Sequence, residues 1–110
     1  MFARTVSVHL KPSMLNNYTS TFEKEVLPLL RKQKGFQNEI TFCNPNSLDL
    51  TAISLWDTRE NAELYSKSVY AEVVKLFSKS IDGTPTVRGE EVVQSTFMPT
   101  HVTEPIVARA

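Results

Sequence analysis

The chain has 110 residues, and its twelve basic and twelve acidic side chains leave no net charge. This length predicts one domain that is large enough to bury a hydrophobic core. The balanced charge, without a stripe of lysine and arginine interleaved with aromatic residues, argues against nucleic-acid binding.

The cysteine content and the hydropathy pattern bear on the cellular compartment. The single cysteine, Cys43, cannot form an internal disulfide, and no charged leader followed by an apolar run opens the chain. Both features predict a cytoplasmic protein. No apolar stretch approaches the length that a bilayer-spanning helix needs, so we expect no membrane partner.

The first third of the chain predicts a strand followed by an amphipathic helix. Phe2 to Leu10 alternate in polarity with the period of two that is typical of a strand. Ser13 is the expected N-cap of a helix whose apolar side chains recur every three or four residues up to Leu30. Pro28 lacks a backbone N–H and predicts a kink there. Gly35 is expected to end the helix in the left-handed conformation.

The middle of the chain predicts an antiparallel hairpin. A strand over Phe36 to Cys43 is joined to a strand over Leu48 to Trp56 by a turn at 44–47 that is too short to cross a sheet. Both faces of the later strand are largely apolar, and the predicted helices suffice to cover one face. We therefore expect the other face to be covered by a second copy of the sheet.

The last part of the chain predicts a second helix and a closing strand. Asp57 or Thr58 is the expected N-cap of this helix, which weakens and is expected to break at 66–68. The Asp82-Gly83 pair is expected to stop the helix, and the last strand is expected over 87–98.

The predicted order of elements is β-α-β-β-α-β. This order makes an α+β fold of the ferredoxin-like type, a sandwich with an antiparallel sheet of strand order 4-1-3-2 and both helices on one face. We expect the domain to cover residues 1–98. The tail, 99–110, has no periodicity and is expected to be extended or packed on the partner subunit.

Three segments carry a resemblance to a known family. Gly35-Phe36, the run from Leu55 to Ala62, and the pair Tyr65 and Tyr70 resemble the antibiotic biosynthesis monooxygenase (ABM) domain, which belongs to the dimeric α+β barrel group. The resemblance implies a homodimer through the open sheet faces and a cavity in each subunit between the sheet and the helices. It also implies oxygenation of a hydroxylated aromatic, polyketide-like or quinol substrate without metal, flavin or haem. Other members degrade haem, and many have no established reaction.

Such a cavity needs aromatic walls and one or two polar groups, because an electron-rich phenolate can pass an electron to dioxygen directly. Arg4, Ser54 or Thr5 could orient an oxygen atom of the bound ring. No catalytic residue is assigned, and the candidates are Trp56, Tyr65 and His9; the favoured interpretation of Trp56 is a core residue that marks the end of its strand. The candidate substrate-binding residues are Arg4, Ser54, Trp56, Tyr65, Tyr70 and Phe77.

The chain departs from both the cofactor-free and the haem-degrading members of this family. Ala52 and Ala62 stand where cofactor-free members have an asparagine and an aromatic residue, and Trp56 alone of that set is retained. Haem-degrading members place a histidine where this chain has Val74 or Lys75, so haem cleavage is not expected.

No metal site is predicted either, because His9, His101 and Cys43 are far apart in the sequence. The resemblance to cofactor-free members implies that no cofactor is needed, and the three glycines form neither a dinucleotide-binding fingerprint nor a phosphate loop. Three functions stay open: a cofactor-independent monooxygenase, a non-catalytic dimeric module that binds a small apolar aromatic ligand, and a haem-binding protein.

Overall fold

The computed structural model describes residues 1–97. Its elements in chain order are β1 (Phe2–Leu10), α1 (Leu15–Thr21), a π-helical turn (Phe22–Val26), α2 (Leu27–Arg31), β2 (Phe36–Cys43), β3 (Asp49–Trp56), α3 (Arg59–Ser68), α4 (Tyr70–Leu76) and β4 (Ile81–Glu91). The strands form one antiparallel sheet in the order β2-β3-β1-β4, which confirms the predicted ferredoxin-like topology. The predicted tail, 99–110, and Met98 lie outside the described residues.

The sheet has an inner face under the helices and an outer face on which no helix of residues 1–97 packs. On the inner face, Arg4 pairs with Ser54 across β1 and β3, and Glu39 pairs with Ser54 across β2 and β3. On the outer face, Ile53 pairs with Thr5 on one side and with Ile40 on the other. The inner face thus holds a polar row within an otherwise apolar layer. The outer face leaves the large side chains of Ile40 and Phe42 exposed.

Pro28 explains an irregularity in the first helical segment. A proline at this position cannot donate a hydrogen bond to the carbonyl of Lys24, so the preceding turn lacks one of the bonds that hold α-helical spacing. The chain widens there into the π-helical turn, in which the N–H of Leu27 donates to the carbonyl of Phe22, five residues earlier. The expected irregularity is therefore present and lies just before the proline, and it brings Phe22 and Val26 to the cavity described below.

The junction between β3 and α3 follows the predicted capping chemistry. Of the two predicted caps, Thr58 is the N-cap, and its hydroxyl accepts a hydrogen bond from the N–H of Asn61 at 3.1 Å. Gly35 is left-handed, with φ of +86°, but it does not end the helix as predicted: α2 ends at Arg31, and Gly35 lies in the turn that the N–H of Phe36 closes onto the carbonyl of Gln33, directly before β2. A side chain at Gly35 would collide with Asp57 and Asn61. The second helix does break into two, but just after the predicted 66–68: α3 continues through Ser68, and Val69, with φ of −125°, separates it from α4.

Two further predictions of element ends are wrong. Ser13 is not an N-cap: it has φ of +66° in a turn, and α1 starts after Met14 without any side-chain cap. The Asp82-Gly83 pair does not stop the second helix, and the last strand is not 87–98. The helix already closes at Phe77, because the N–H groups of Ser80 and Ile81 both donate to its carbonyl.

The strand that follows starts at Ile81 and pairs with Leu10, so Asp82 and Gly83 lie within β4. An edge strand tolerates such turn-forming residues, and the pairing shifts by a bulge between Ser7 and His9 to accommodate them. No helix within residues 1–97 is both long and apolar enough to cross a membrane.

Candidate functional site

A cavity lies between the inner face of the sheet and the helices, as the resemblance implies. Its volume, counted as the space that the centre of a water molecule can reach, is about 60 Å³, which is room for a few waters. Its walls are mainly apolar. The lining residues are Arg4, Val6, Val8, Tyr18, Phe22, Val26, Leu30, Glu39, Ala52, Ser54, Tyr65, Tyr70, Val73, Val74, Phe77, Ile81 and Pro85.

Most of the predicted substrate-binding residues meet at this cavity. Arg4, Ser54, Tyr65, Tyr70 and Phe77 line it, although they come from five different elements or turns of the chain. Phe77 stacks on Tyr18 with ring centroids 4.1 Å apart, and this pair forms one wall. The fold therefore gathers these five side chains around one hollow.

The guanidinium group of Arg4 is the principal charge in the cavity wall. The residue is 5% exposed, and its Nε donates to the hydroxyl of Ser66 at 2.7 Å. Its Cζ lies 4.0 Å from the ring centroid of Tyr70 and 5.2 Å from that of Tyr65, so the cation faces two aromatic rings. Within residues 1–97 no carboxylate forms an ion pair with it. Burial lowers the pKa of Arg4, but arginine keeps its charge at neutral pH.

The tyrosines of the cavity are neutral hydrogen-bonding groups. Burial raises the pKa of Tyr65 to about 12, although the positive charge of Arg4 opposes this rise. Burial likewise raises the pKa of Tyr18 and of Tyr70. The Tyr70 hydroxyl is buried and makes no well-aligned hydrogen bond among the described residues, although the guanidinium of Arg4 lies close enough to oppose the rise in its pKa. An unpaired buried hydroxyl is costly, so Tyr70 offers a group that a ligand would satisfy.

Glu39 is a cavity residue that the sequence analysis missed. Its side chain is half-buried, it accepts a hydrogen bond from the hydroxyl of Thr41, and burial raises the pKa of its carboxyl group. Strict alternation along β2 would place Phe36, Ile40 and Phe42 on one face and Glu39 on the other. A bulge between Phe36 and Asn38 breaks that alternation, so Phe36 points inward whereas Ile40 and Phe42 point outward. Glu39 therefore faces the cavity.

Trp56 is a core residue and does not line the cavity. It is 0% exposed, and its indole N–H donates to the hydroxyl of Ser54 at 2.9 Å. Its ring contacts Tyr65 at a centroid distance of 5.1 Å and meets Phe36 edge-on at 5.6 Å. Trp56 thus supports two cavity residues from behind.

The structure does not bring His9 to the cavity. Its imidazole Nδ1 lies 3.1 Å from a carboxylate oxygen of Asp49, and the inner-to-outer alternation of β1 places it on the other face of the sheet. Thr5 lies on that outer face as well. Residues 1–97 contain no cluster of three or more histidine, cysteine, aspartate or glutamate side chains with the geometry of a metal site. Val74, one of the positions where haem-degrading members have histidine, is an aliphatic part of the wall.

Arg4 also borders a second hollow, of about 230 Å³ by the same measure, between α3 and β4. Its other lining residues are Phe2, Arg59, Ala62, Glu63, Ser66, Val87 and Gly89. Arg59 and Glu63 form an ion pair at 3.2 Å there, whereas Arg4, which has no carboxylate partner among the described residues, is common to both hollows. The first cavity is the better site for an aromatic ligand because five aromatic side chains line it, against Phe2 in the second hollow.

Comparison with solved structures places this architecture in a known fold. An antibiotic biosynthesis monooxygenase is 14% identical, with a TM-score of 0.66 over 86% of this chain and 100% of that chain. A monooxygenase from Streptomyces coelicolor in complex with nanaomycin D is 13% identical, with a TM-score of 0.71 over 90% of this chain and 92% of that one.

A third structure is a variant of SnoaB, a cofactor-independent oxygenase from Streptomyces nogalater. It is 10% identical, with a TM-score of 0.69 over 88% of this chain and 97% of that chain. No family model and no curated protein matches the sequence. The chain therefore has the fold of the antibiotic biosynthesis monooxygenases, and identities this low establish the fold alone.

Proposed function

We propose that this protein is a cofactor-independent monooxygenase that acts on a compact hydroxylated aromatic ring or quinol. The observation that carries the proposal is the buried Arg4, a cation without a carboxylate partner among the described residues, in the wall of an aromatic cavity. Such a cation stabilises a phenolate and the negative charge that develops when dioxygen is reduced. The fold shared with a cofactor-independent oxygenase supports the same assignment.

The proposed reaction balances without any further reactant. A bound phenol loses its hydroxyl proton, and the phenolate passes one electron to dioxygen. The resulting superoxide and ring radical combine at a ring carbon that carries hydrogen, and the peroxide anion so formed takes up the proton that the phenol released. Loss of water then leaves a carbonyl there, so one oxygen atom enters the product and the other leaves as water. The protein's part is to hold the ring, stabilise the anion and exclude bulk water.

The size of the cavity favours a small substrate. With about 60 Å³ open to the centres of water molecules, the cavity walls fit a ring system of one or two cycles. Tyr65 and Tyr70 provide faces for the ring, and their neutral hydroxyls donate hydrogen bonds to its oxygens.

Oxygen consumption tests the proposal. With a panel of monocyclic hydroquinones, naphthohydroquinones and anthrones, we expect uptake above the spontaneous rate, larger for the smaller members. Labelled dioxygen is expected to place one oxygen atom in the product. Uptake no faster than the spontaneous rate, together with saturable binding of the same compounds, would instead identify a binding module. A saturable Soret shift on titration with hemin would favour haem binding.

We also propose that the outer face of the sheet is covered by a second copy of the chain, in a cytoplasmic homodimer. Phe42 and Ile40 leave large apolar side chains exposed beside Ile53 on this face. The helices cover the inner apolar face of the sheet, and a second copy of the chain would bury the outer one.

We expect Phe42→Asp to shift the protein from dimer to monomer, because it places a charge in the middle of the proposed contact. Sedimentation velocity at micromolar concentration measures this. Leu64→Asp is the matched control: Leu64 is 56% exposed on α3, against 54% for Phe42, and lies on the helical side. A wild-type protein that sediments as a monomer would contradict the proposal.

A further inference from the structure

The proposed reaction needs a group that accepts the phenolic proton of the substrate, and the cavity wall contains one such group. The titratable side chains that line the cavity are Arg4 from β1, Glu39 from β2, Tyr18 from α1, Tyr65 from α3 and Tyr70 from α4. Arg4 is a cation without acceptor capacity. The three phenols hold their protons at neutral pH, because burial raises the pKa of each. Glu39 is the remaining group, and its ionised form is acceptor-only.

The sheet register fixes where Glu39 stands relative to the cation. Glu39 and Arg4 flank Ser54 on opposite sides in one row of the inner face. Neighbouring strands are about 4.8 Å apart, so the two α-carbons are separated by roughly 10 Å. The two charges are not paired with each other or with other ionised side chains of residues 1–97. A ring held between them would meet an acceptor at one end and a cation at the other.

We propose that Glu39 accepts the phenolic proton of the substrate while Arg4 stabilises negative charge at the other end of the ring. The phenolic O–H bond breaks, its electron pair stays on the substrate oxygen, and a new O–H bond forms on the Glu39 carboxylate. Substrates with oxygens at opposite ends of the ring, such as para-hydroquinones, match this polarity. This inference rests on the proposed function, but the binding preference that it predicts does not depend on turnover.

The burial of Glu39 sets the expected pH dependence. Burial raises the pKa of this carboxyl group, and the hydrogen bond from Thr41 partly offsets the rise. The acceptor-competent carboxylate therefore forms only as the pH increases past the raised pKa. Proton transfer and the preference for a hydroxyl group should both increase with pH. Removing the Thr41 hydroxyl should raise the pH at which proton transfer and the preference for a hydroxyl group each reach half of their full value.

Binding of phenol and of its methyl ether, anisole, separates this role from catalysis. At pH 8 we expect the wild type to prefer phenol about tenfold or more, because the hydroxyl donates to a carboxylate. The preference should decline as the pH falls, Glu39→Gln should reduce it severalfold at pH 8, and Thr41→Val should shift the midpoint upward. Calorimetric titration gives both affinities. Glu25→Gln, at an exposed position outside the cavity, should leave them unchanged.

Turnover provides the second measurement. Replacing a general base lowers the rate by about 10²- to 10⁴-fold, and we expect Glu39→Gln to do so without loss of fold. Because the substitution removes a half-buried charge that has no ion-pair partner among the described residues, the variant is expected to unfold at no lower temperature than the wild type. The folded state of each variant is checked by circular dichroism.

The outcomes distinguish the two proposals. A wild type without oxygen uptake but with a pH-dependent preference for phenol refutes the oxygenation and supports Glu39 as the acceptor. An active wild type whose Glu39→Gln variant keeps the same rate, pH profile and phenol preference overturns the role of Glu39 and leaves the oxygenation standing.

Discussion

Arg4→Met is expected to lower kcat for oxygenation of a small hydroquinone by about 10²- to 10³-fold, the range found when one preorganised group that stabilises a developing anion is removed. Methionine retains an unbranched apolar stem against Tyr65 and Tyr70 but carries no charge. The fold should persist, because no carboxylate among the described residues is left without its partner. Oxygen uptake over a range of substrate concentrations gives kcat and KM separately.

Two companion variants sharpen the test of Arg4. Arg4→Lys keeps a positive charge but loses the planar group that lies 4.0 Å from the centroid of Tyr70, so an intermediate rate is expected. Arg59→Met makes the same chemical change at an exposed pair outside the aromatic cavity and should retain nearly the wild-type rate. Wild-type kcat and KM in Arg4→Met would exclude the cation from the reaction.

The fold could be predicted from the sequence because its signals are local. The alternation from Phe2 to Leu10, the capping residue Thr58 and the left-handed Gly35 each specify an element or its end within a few residues. Their order then leaves few topologies. The end of the second helix was missed because Asp82-Gly83 is a strong turn signal. Pairing of Ile81 with Leu10, a contact distant in sequence, overrides that signal.

Part of the candidate site was predictable because regular periodicity shows which side chains face inward. Arg4 and Ser54 follow from the alternation of regular strands, and Tyr65 and Phe77 follow from the periodicity of the second helix. Glu39 could not be placed in this way, because one additional residue at the bulge after Phe36 reverses which side chains face inward. Period-two alternation assumes that every strand residue has one partner, and at this point of β2 that assumption fails.

Trp56→Ala is expected to lower the free energy of unfolding by about 3–5 kcal/mol, the usual cost of removing a large buried aromatic side chain. The indole is 0% exposed, packs against Phe36 and Tyr65, and donates to Ser54. Its loss leaves a cavity, which neighbouring side chains fill incompletely. Urea denaturation at one fixed protein concentration measures the change, because the apparent stability of a dimer depends on concentration.

Two milder changes separate packing from hydrogen bonding at Trp56. Trp56→Phe keeps much of the apolar volume, and Ser54→Ala keeps all of it; both remove the 2.9 Å bond between the indole N–H and the serine hydroxyl. Ser54→Ala leaves the buried N–H unsatisfied and should cost about 1–3 kcal/mol. If Trp56→Ala instead retained stability within about 1 kcal/mol of the wild type, the indole would not be a core residue. Any loss of oxygenation in Trp56→Ala would then have to come from direct contact with substrate, because support of Ser54 and Tyr65 from behind depends on that packing.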